Sequence, residues 1–251
     1  MIQAMPLTAI RIVLVEPSHP GNIGAVARAM KNMALAELVL VRPKAFPHAE
    51  ATARASGADD LLAQARVVGS VVDAVADCGF VAATTSRPRD TNFRALDLHE
   101  AAMRIFEMSA RGPTAVLFGA ERTGLTNEEL ALAHLLIRIP ANPDYPSLNL
   151  AMAVQLVCYE LFRAAGSPAS DRPLSESPVP LAAGADMERF YAHLQEVMDE
   201  VDFRDRTQAG GHLMTRIRRL FQRCEMDQNE VNILRGLLTS VQSKRRPAGR
   251  S

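Results

Sequence analysis

Most signatures of familiar chemistry are missing from this chain. No G-x-G-x-x-G follows its first apolar run and no G-x-x-x-x-G-K-[ST] occurs, which argues against a dinucleotide dehydrogenase or a P-loop NTPase. The six histidines, at 19, 48, 99, 134, 193 and 212, form neither H-E-x-x-H nor a cluster with cysteine, so no metal centre is expected. A G-x-S-x-G nucleophile elbow is absent as well. Cysteine is scarce: Cys78, Cys158 and Cys224 are odd in number, far apart and without a C-x-x-C. That pattern argues against a disulfide framework, fits a reducing compartment and reads as small buried hydrophobes. The first ten residues lack the basic and continuous apolar regions of a signal peptide, and no apolar run approaches the roughly 20 residues of a membrane span. The expectation is a soluble, cytoplasmic protein.

What is present suits a mixed fold. The 251 residues are 48% apolar, enough for one large domain or a medium and a small one. Ile10 to Glu16 is a β-branched run that reads as a buried parallel strand, and from Asn22 the apolar positions Ile23, Val26, Ala27 and Met30 follow helical spacing. Further strands are predicted at Glu37 to Val41, Val67 to Gly69, Phe80 to Thr85, Thr114 to Gly119 and Leu136 to Pro140, with helical patterns mostly between them. This alternation predicts an α/β unit with a mainly parallel sheet over residues 1–165. Thr126 to Glu129 predicts a capping box opening a helix through about His134. Leu148 to Phe162 is apolar on nearly every side, which predicts a helix covered both by its own domain and by a second copy, hence a homodimer. Residues 166–184, with four prolines and four serines, read as a linker. Three helical stripes follow over 185–246, around Phe190, Ile217 and Leu234, and predict a small helical C-terminal domain. From His212 onward nine Lys/Arg face three acids although the whole chain is neutral, so the tail is expected to meet an anionic partner.

Ligands of parallel sheets sit at the carboxyl ends of strands. Three such ends carry distinctive loops: Thr84-Thr85-Ser86-Arg87, Gly119 to Gly124, and Ile139 to Leu150. Gly119 and Gly124 flank Glu121, permitting a tight turn and close backbone approach. In the third loop Pro143 and Pro146 fix the backbone, Ser147 is placed to cap the following helix, and Asn142 and Asn149 can each donate and accept. Arg28, four residues after Gly24, lies off the apolar stripe of the first helix with Lys31. These two, with Arg87 and Arg89, are candidates for contact with phosphates.

The stretches N-I-G-A-V-A-R (22–28), L-F-G-A-E-R-T-G-L (117–125) and I-P-A-N-P-D-Y-P-S-L-N-L (139–150) together resemble the three motifs of the SpoU branch of the SPOUT methyltransferases, in order and spacing. The likeness spans roughly residues 8–165. In the tail, R-I-R-R-L-F (216–221) and N-I-L-R-G (232–236) resemble the helical extension of the bacterial tRNA 2'-O-methyltransferases that act on cytidine or uridine at position 32 of the anticodon loop. The resemblance implies a C-terminal trefoil knot in the α/β domain, S-adenosyl-L-methionine as cofactor, tRNA as substrate and an obligate homodimer with the active site at its interface. Carried onto this chain, it implies cofactor binding by Thr84, Thr85, Ser86, Gly119, Ile139, Pro146, Ser147 and Leu148. It gives Arg28 the central catalytic role, with Asn22, Glu121, Ser147 and Asn149 orienting Arg28 and the ribose. A guanidinium stays protonated in proteins, so Arg28 is better suited to clamp a phosphate or stabilise a developing alkoxide than to act as a base. RNA contacts are expected from Arg28, Lys31, Arg87, Arg89, Arg216, Arg218 and Arg219. The alternatives are a ribosomal RNA 2'-O-methyltransferase of the same fold and a non-catalytic RNA-binding module.

Overall fold

A computed structural model describes residues 7–85, 95–166, 179–203 and 213–245. Seven strands, β1 (Ile10–Val15), β2 (Glu37–Val41), β3 (Arg66–Val68), β4 (Phe80–Thr84), β5 (Ala95–Asp97), β6 (Thr114–Phe118) and β7 (Leu135–Arg138), form one sheet in the order β3-β2-β1-β6-β4-β7-β5. Every ladder is parallel. The expected mainly parallel α/β unit is therefore present. Seven helices interleave with the strands: α1 (Pro20–Asn32), α2 (Ala49–Ala55), α3 (Asp59–Gln64), α4 (Val71–Val75), α5 (Leu98–Ser109), α6 (Asn127–Leu130) and α7 (Leu150–Gly166). Three more follow, α8 (Gly184–Glu200), α9 (Leu213–Gln222) and α10 (Gln228–Arg245). Among the described residues no helix is long and apolar enough to cross a membrane.

Strand β1 lies inside the sheet, between β2 and β6, and is buried at all six positions. Ile10, Ile12 and Leu14 join Ile23, Val26 and Met30 of α1 and Val154, Val157 and Leu161 of α7 on one face of the sheet. Val13 and Val15 pack with α4 and Leu130 of α6 on the other. The alternation follows from the two-residue period of a strand, here with apolar residues on both sides because helices cover both. Gly24 sits where a Cβ would come within 2.0 Å of the Ala51 carbonyl oxygen, so its missing side chain is what lets α1 lie against α2.

The apolar run of β1 also hides a charge. Arg11 is 4% exposed, and its guanidinium donates to Glu37 Oε1 at 2.6 Å, to both carboxylate oxygens of Asp77 at 2.6 and 2.8 Å, and to the Ala74 carbonyl at 2.6 Å. A buried guanidinium is tolerable only when its donors are matched in this way.

Boundaries differ from expectation where local chemistry intervenes. The helix after Thr126 has the predicted capping box but ends at Leu130 rather than near His134. The His134 amide donates to the Val81 carbonyl at 2.8 Å and its ring stacks on Phe80, which commits it to the sheet. Strand β7 stops at Arg138, two residues short of Pro140, which has no N–H for a ladder. Strand β5 was not predicted; Ala-Leu-Asp is too short to show a period.

The helical unit has a core of Phe190, Tyr191, Val197, Met226, Val231 and Leu238. It docks against the sheet domain through backbone bonds: the Gly184 amide donates to the Cys78 carbonyl at 3.0 Å and the Ala185 amide to the Ala76 carbonyl at 2.8 Å. The first amides of α8 thus meet the carbonyls just beyond α4, which satisfies unpaired groups of both helix ends. Arg104 of α5 forms an ion pair with Glu225 at the turn before α10. His134, Cys78, Glu188, Tyr191 and Gln222 line a cavity of about 50 Å³ at this joint.

Burial pushes the His134 imidazole down to about 4, and its Nδ1 is already occupied by the Val81 N–H at 3.1 Å. An unfolded histidine titrates near 6.5, so between that pH and about 4 the unfolded chain binds the extra proton and the native state is penalised. The stability contribution of neutral His134 is complete above pH 6.5 and lost on acidification through that window, with a slope of at most about 1.4 kcal/mol per pH unit. His134→Asn, whose amide oxygen can accept from Val81 but does not titrate, should show a shallower loss of the urea midpoint over that window. An identical slope in the variant would show that His134 is not the group responsible.

Candidate active site

The loops leaving β1, β6, β4 and β7 all emerge at the carboxyl edge of the sheet from adjacent parallel strands, about 4.8 Å apart. Their convergence follows directly from the parallel pairing. After β1, Glu16 adopts a left-handed φ of 49° and turns the chain into the Pro17-Ser18-His19 loop that opens α1.

Glu121, from the loop after β6, reaches into that opening. Its carboxylate accepts from the Ser18 amide at 3.0 and 3.2 Å, the Ser18 hydroxyl at 2.9 Å, the His19 amide at 3.4 Å and Asn22 Nδ2 at 3.0 Å. Partial burial pushes the carboxyl upward, but the hydrogen bonds from Asn22 and Ser18 outweigh it and hold the group below its ordinary value. Asn22 Oδ1 in turn accepts from Asn149 Nδ2 at 3.1 Å. Asn149 Oδ1 accepts from the Ala151 amide at 2.9 Å and the Met152 amide at 3.4 Å, so Asn149 caps α7. Side chains from all three sequence motifs are therefore joined in one path, Glu121 to Asn22 to Asn149.

This corrects the reading of Ser147 as the helix cap. The cap is Asn149, two residues later, and Ser147 is exposed in the loop ahead of it. Asn142 has a local role: its Oδ1 accepts from the Asp144 amide at 3.0 Å, an Asx turn inside the third loop.

The expected cofactor positions surround the ends of β6, β4 and β7. A Cβ on Gly119 would fall 2.3 Å from the Gly124 carbonyl carbon and the Leu125 nitrogen, so only glycine allows the loop to close on itself. The Gly124 amide donates to the Ala120 carbonyl at 2.8 Å, and Gly124 itself has a φ of 67°. Thr84 Oγ1 donates to the Leu117 carbonyl at 3.1 Å, and the Thr85 amide extends the ladder to Ile137 at 3.2 Å. Ile139 and Leu148 are half-buried, whereas Pro146 and Ser147 are exposed. A tight glycine loop, strand-end backbone groups and two aliphatic side chains fit a flat heterocycle held by main-chain hydrogen bonds and apolar contact. Ser86, Arg87 and Arg89 lie outside the described residues. Among the described residues no group of His, Cys, Asp and Glu could hold a metal ion.

The basic candidates divide. Arg28 is exposed on α1, and among the described residues none hydrogen-bonds to its guanidinium. It stands apart from the Glu121–Asn22–Asn149 path, six residues along the helix and thus about 9 Å up its axis. Lys31 donates to Asp60 at 2.7 Å and to the Gly57 carbonyl at 2.9 Å. Arg218 is held by Glu188 and lies 4.3 Å over the Tyr191 ring, where it braces the helical unit. Arg216 is exposed on α9 and Arg219 is half-buried there. Ser18 and the His19 amide, which hold Glu121, were not anticipated. Their only sequence signal is a polar residue two before Pro20, the first residue of α1.

Comparison with known proteins places these features in context. Residues 9–159 match the model of the SpoU rRNA Methylase family, and residues 185–250 match the model described as tRNA methyltransferase TrmJ, C-terminal domain. The chain is 44% identical over 244 residues to the tRNA (cytidine/uridine/adenosine-2'-O-)-methyltransferase TrmJ of Pseudomonas aeruginosa, covering 94% of this chain and 95% of that one. It is 45% identical over 240 residues to the tRNA (cytidine/uridine-2'-O-)-methyltransferase TrmJ of Sodalis glossinidius, covering 95% and 93%. The crystal structure of TrmJ from Z. mobilis ZM4 superposes with a TM-score of 0.79 at 36% identity, over 92% of this chain and 98% of that one. With the three motifs joined at one strand edge and both parts of the chain matched in order, the protein belongs to the SpoU methylase family and carries the TrmJ-type C-terminal domain.

Proposed function

We propose that this chain is a tRNA 2'-O-methyltransferase, transferring the methyl group of S-adenosyl-L-methionine to the ribose 2'-hydroxyl of cytidine or uridine, and that its target is position 32 of the anticodon loop. The observation that carries the reading is the hydrogen-bond path from Glu121 through Asn22 to Asn149, which fixes the three motif loops against one another beside the glycine loop. Relatives bearing this activity in their names align along nearly the whole chain.

When bound, the cofactor supplies an electrophilic methyl on sulfonium, so no metal is needed. The backbone around Gly119, Thr85 and Ile139, with the Leu148 side chain, would hold it at the strand edge. The chain's own contribution is position and charge. Glu121 has every oxygen engaged by N–H or O–H donors, which suits it to framing the site rather than taking the hydroxyl proton. Arg28, exposed and uncommitted among the described residues, is the group suited to grip a ribose-flanking phosphate and stabilise the oxygen as its proton departs. Asn22 keeps one amide hydrogen beyond its bond to Glu121, and Asn149 keeps one beyond its bond to Asn22.

We infer a homodimer in which α7 meets a second copy. Val154, Val157, Cys158 and Leu161 are buried in the sheet domain, but Met152 is 63%, Leu156 39%, Tyr159 47% and Phe162 46% exposed. One chain thus covers only half of a helix that is apolar all round, and the open face is contiguous at helical spacing. We further assign residues 1–165 to the methyltransferase unit, with the knot formed by the segment from Ile139 through α7, 166–184 to a linker and 185–246 to the helical unit, in a cytoplasmic protein. The end of α7 at Gly166 and the start of α8 at Gly184 support this division.

Arg28→Ala should lower methyl transfer to tRNA by at least about 100-fold while leaving cofactor affinity by calorimetry within a few-fold, because its loss removes charge stabilisation only. Comparable turnover in the variant would remove Arg28 from the mechanism, and transfer to ribosomal RNA but not tRNA would change the substrate. Leu156→Glu, placing a charge on the open face of α7, should shift the sedimenting species from dimer to monomer at micromolar concentration. A wild-type chain that sediments as a monomer would overturn the dimer.

A further inference from the structure

Glu121 carries its charge without a cation: among the described residues no lysine, arginine or histidine pairs with it. Its neutralisation comes from hydrogen-bond donors at the start of α1, an arrangement that suits an anion. Two of those donors belong to Ser18, a residue outside all three motifs. Its amide and its hydroxyl both reach Oε2, at 3.0 and 2.9 Å, while Asn22 Nδ2 takes Oε1 at 3.0 Å. The Ser18 amide also reaches Oε1 at 3.2 Å, so both oxygens are engaged and the hydroxyl is a second donor to Oε2.

The loop that presents Ser18 is anchored independently of Glu121. Pro17 is buried, its carbonyl accepts from the Lys44 amide at 3.1 Å, and the Glu16 amide donates to the Val41 carbonyl at 2.8 Å. Removing the hydroxyl would leave this backbone in place but free the carboxylate to turn toward its remaining donors. Asn22 would turn with it, since one amide end is bound to Glu121 and the other to Asn149.

We propose that Ser18 is a positioning residue for methyl transfer: its hydroxyl fixes the rotation of the Glu121 carboxylate and, through it, the amide planes of Asn22 and Asn149 that frame the RNA ribose. Ser18 touches neither cofactor nor RNA in this role. The inference rests on the reading of the site as a methyl-transfer centre.

The test is single-turnover methyl transfer to tRNA by the full-length protein at saturating cofactor and tRNA, for Ser18→Ala, Ser18→Thr, Asn22→Ala and the Ser18→Ala/Asn22→Ala double variant. Ser18→Ala should lower the rate constant by roughly 10- to 100-fold, the scale of a small misplacement of reacting groups, with cofactor and tRNA affinities within about threefold of wild type. Ser18→Thr, which keeps the hydroxyl, should recover most of the rate. The double variant should be no slower than Asn22→Ala alone, because both changes release one path. Should Ser18→Ala melt well below wild type, Ser18→Cys, of similar volume but a weak donor, takes its place and must show the same loss. A wild-type rate in Ser18→Ala, losses that multiply in the double variant, or a change confined to affinity would each overturn the role. If Arg28→Ala is inactive while Ser18→Ala is not, only the Ser18 inference fails; if the wild-type chain methylates no RNA, the underlying reading fails.

Discussion

The carboxylate of Glu121 is the constraint on which the site depends. An anion that, among the described residues, has no cation paired to it must gather N–H and O–H donors, and the donors here belong to the loop after β1 and the first turn of α1. Hydrogen bonds to a charged group are worth about 1.5–3 kcal/mol each, so one side chain ties the β6 loop to the start of α1 more firmly than neutral contacts would. Asn22 extends the tie to Asn149, whose other amide end caps α7. Two helices that pack together, α1 and α7, therefore begin from one point, and the loops expected to hold the cofactor leave β6, β4 and β7, consecutive strands on one side of β1.

Much of this was legible in the chain because the sheet is parallel and covered on both faces. Strands such as Ile10–Val15 and Glu37–Val41 must then be apolar at nearly every position, and the helices between them must show a stripe. Arg11 was hidden for the same reason: a single arginine within a β-branched run looks incidental until Glu37 and Asp77 are brought to it from other segments. Local sequence placed Ser147 as the helix cap, although asparagine is an equally suitable type. The choice was decided by Asn22, 127 positions away, which takes the other end of the Asn149 amide. The contacts of Lys31 and Arg218 were likewise hidden, because Asp60 and Glu188 with Tyr191 are partners that helical spacing does not show.

The helical unit adds a different kind of order. Its three helices supply a modest core, and it is joined to the sheet domain by main-chain bonds at Gly184 and Ala185 together with the Arg104–Glu225 pair. A module that donates its own helix-start amides to another domain's helix-end carbonyls is held at a set angle, not merely tethered. Arg216 is exposed on α9 of this unit.

The buried guanidinium of β1 bears on how the chain reaches this state. Its matching acceptors arrive from β2, from the Ala74 carbonyl within α4 and from Asp77 beyond it, stretches separated in sequence by up to 66 positions. Until all are in place, burying β1 strands a charge in an apolar interior, at a cost of several kcal/mol. Formation of β1, β2 and α4 is thereby coupled: arrangements in which β1 is covered without Asp77 are penalised, and the same charge that the folded protein tolerates discriminates against incomplete packing of these segments.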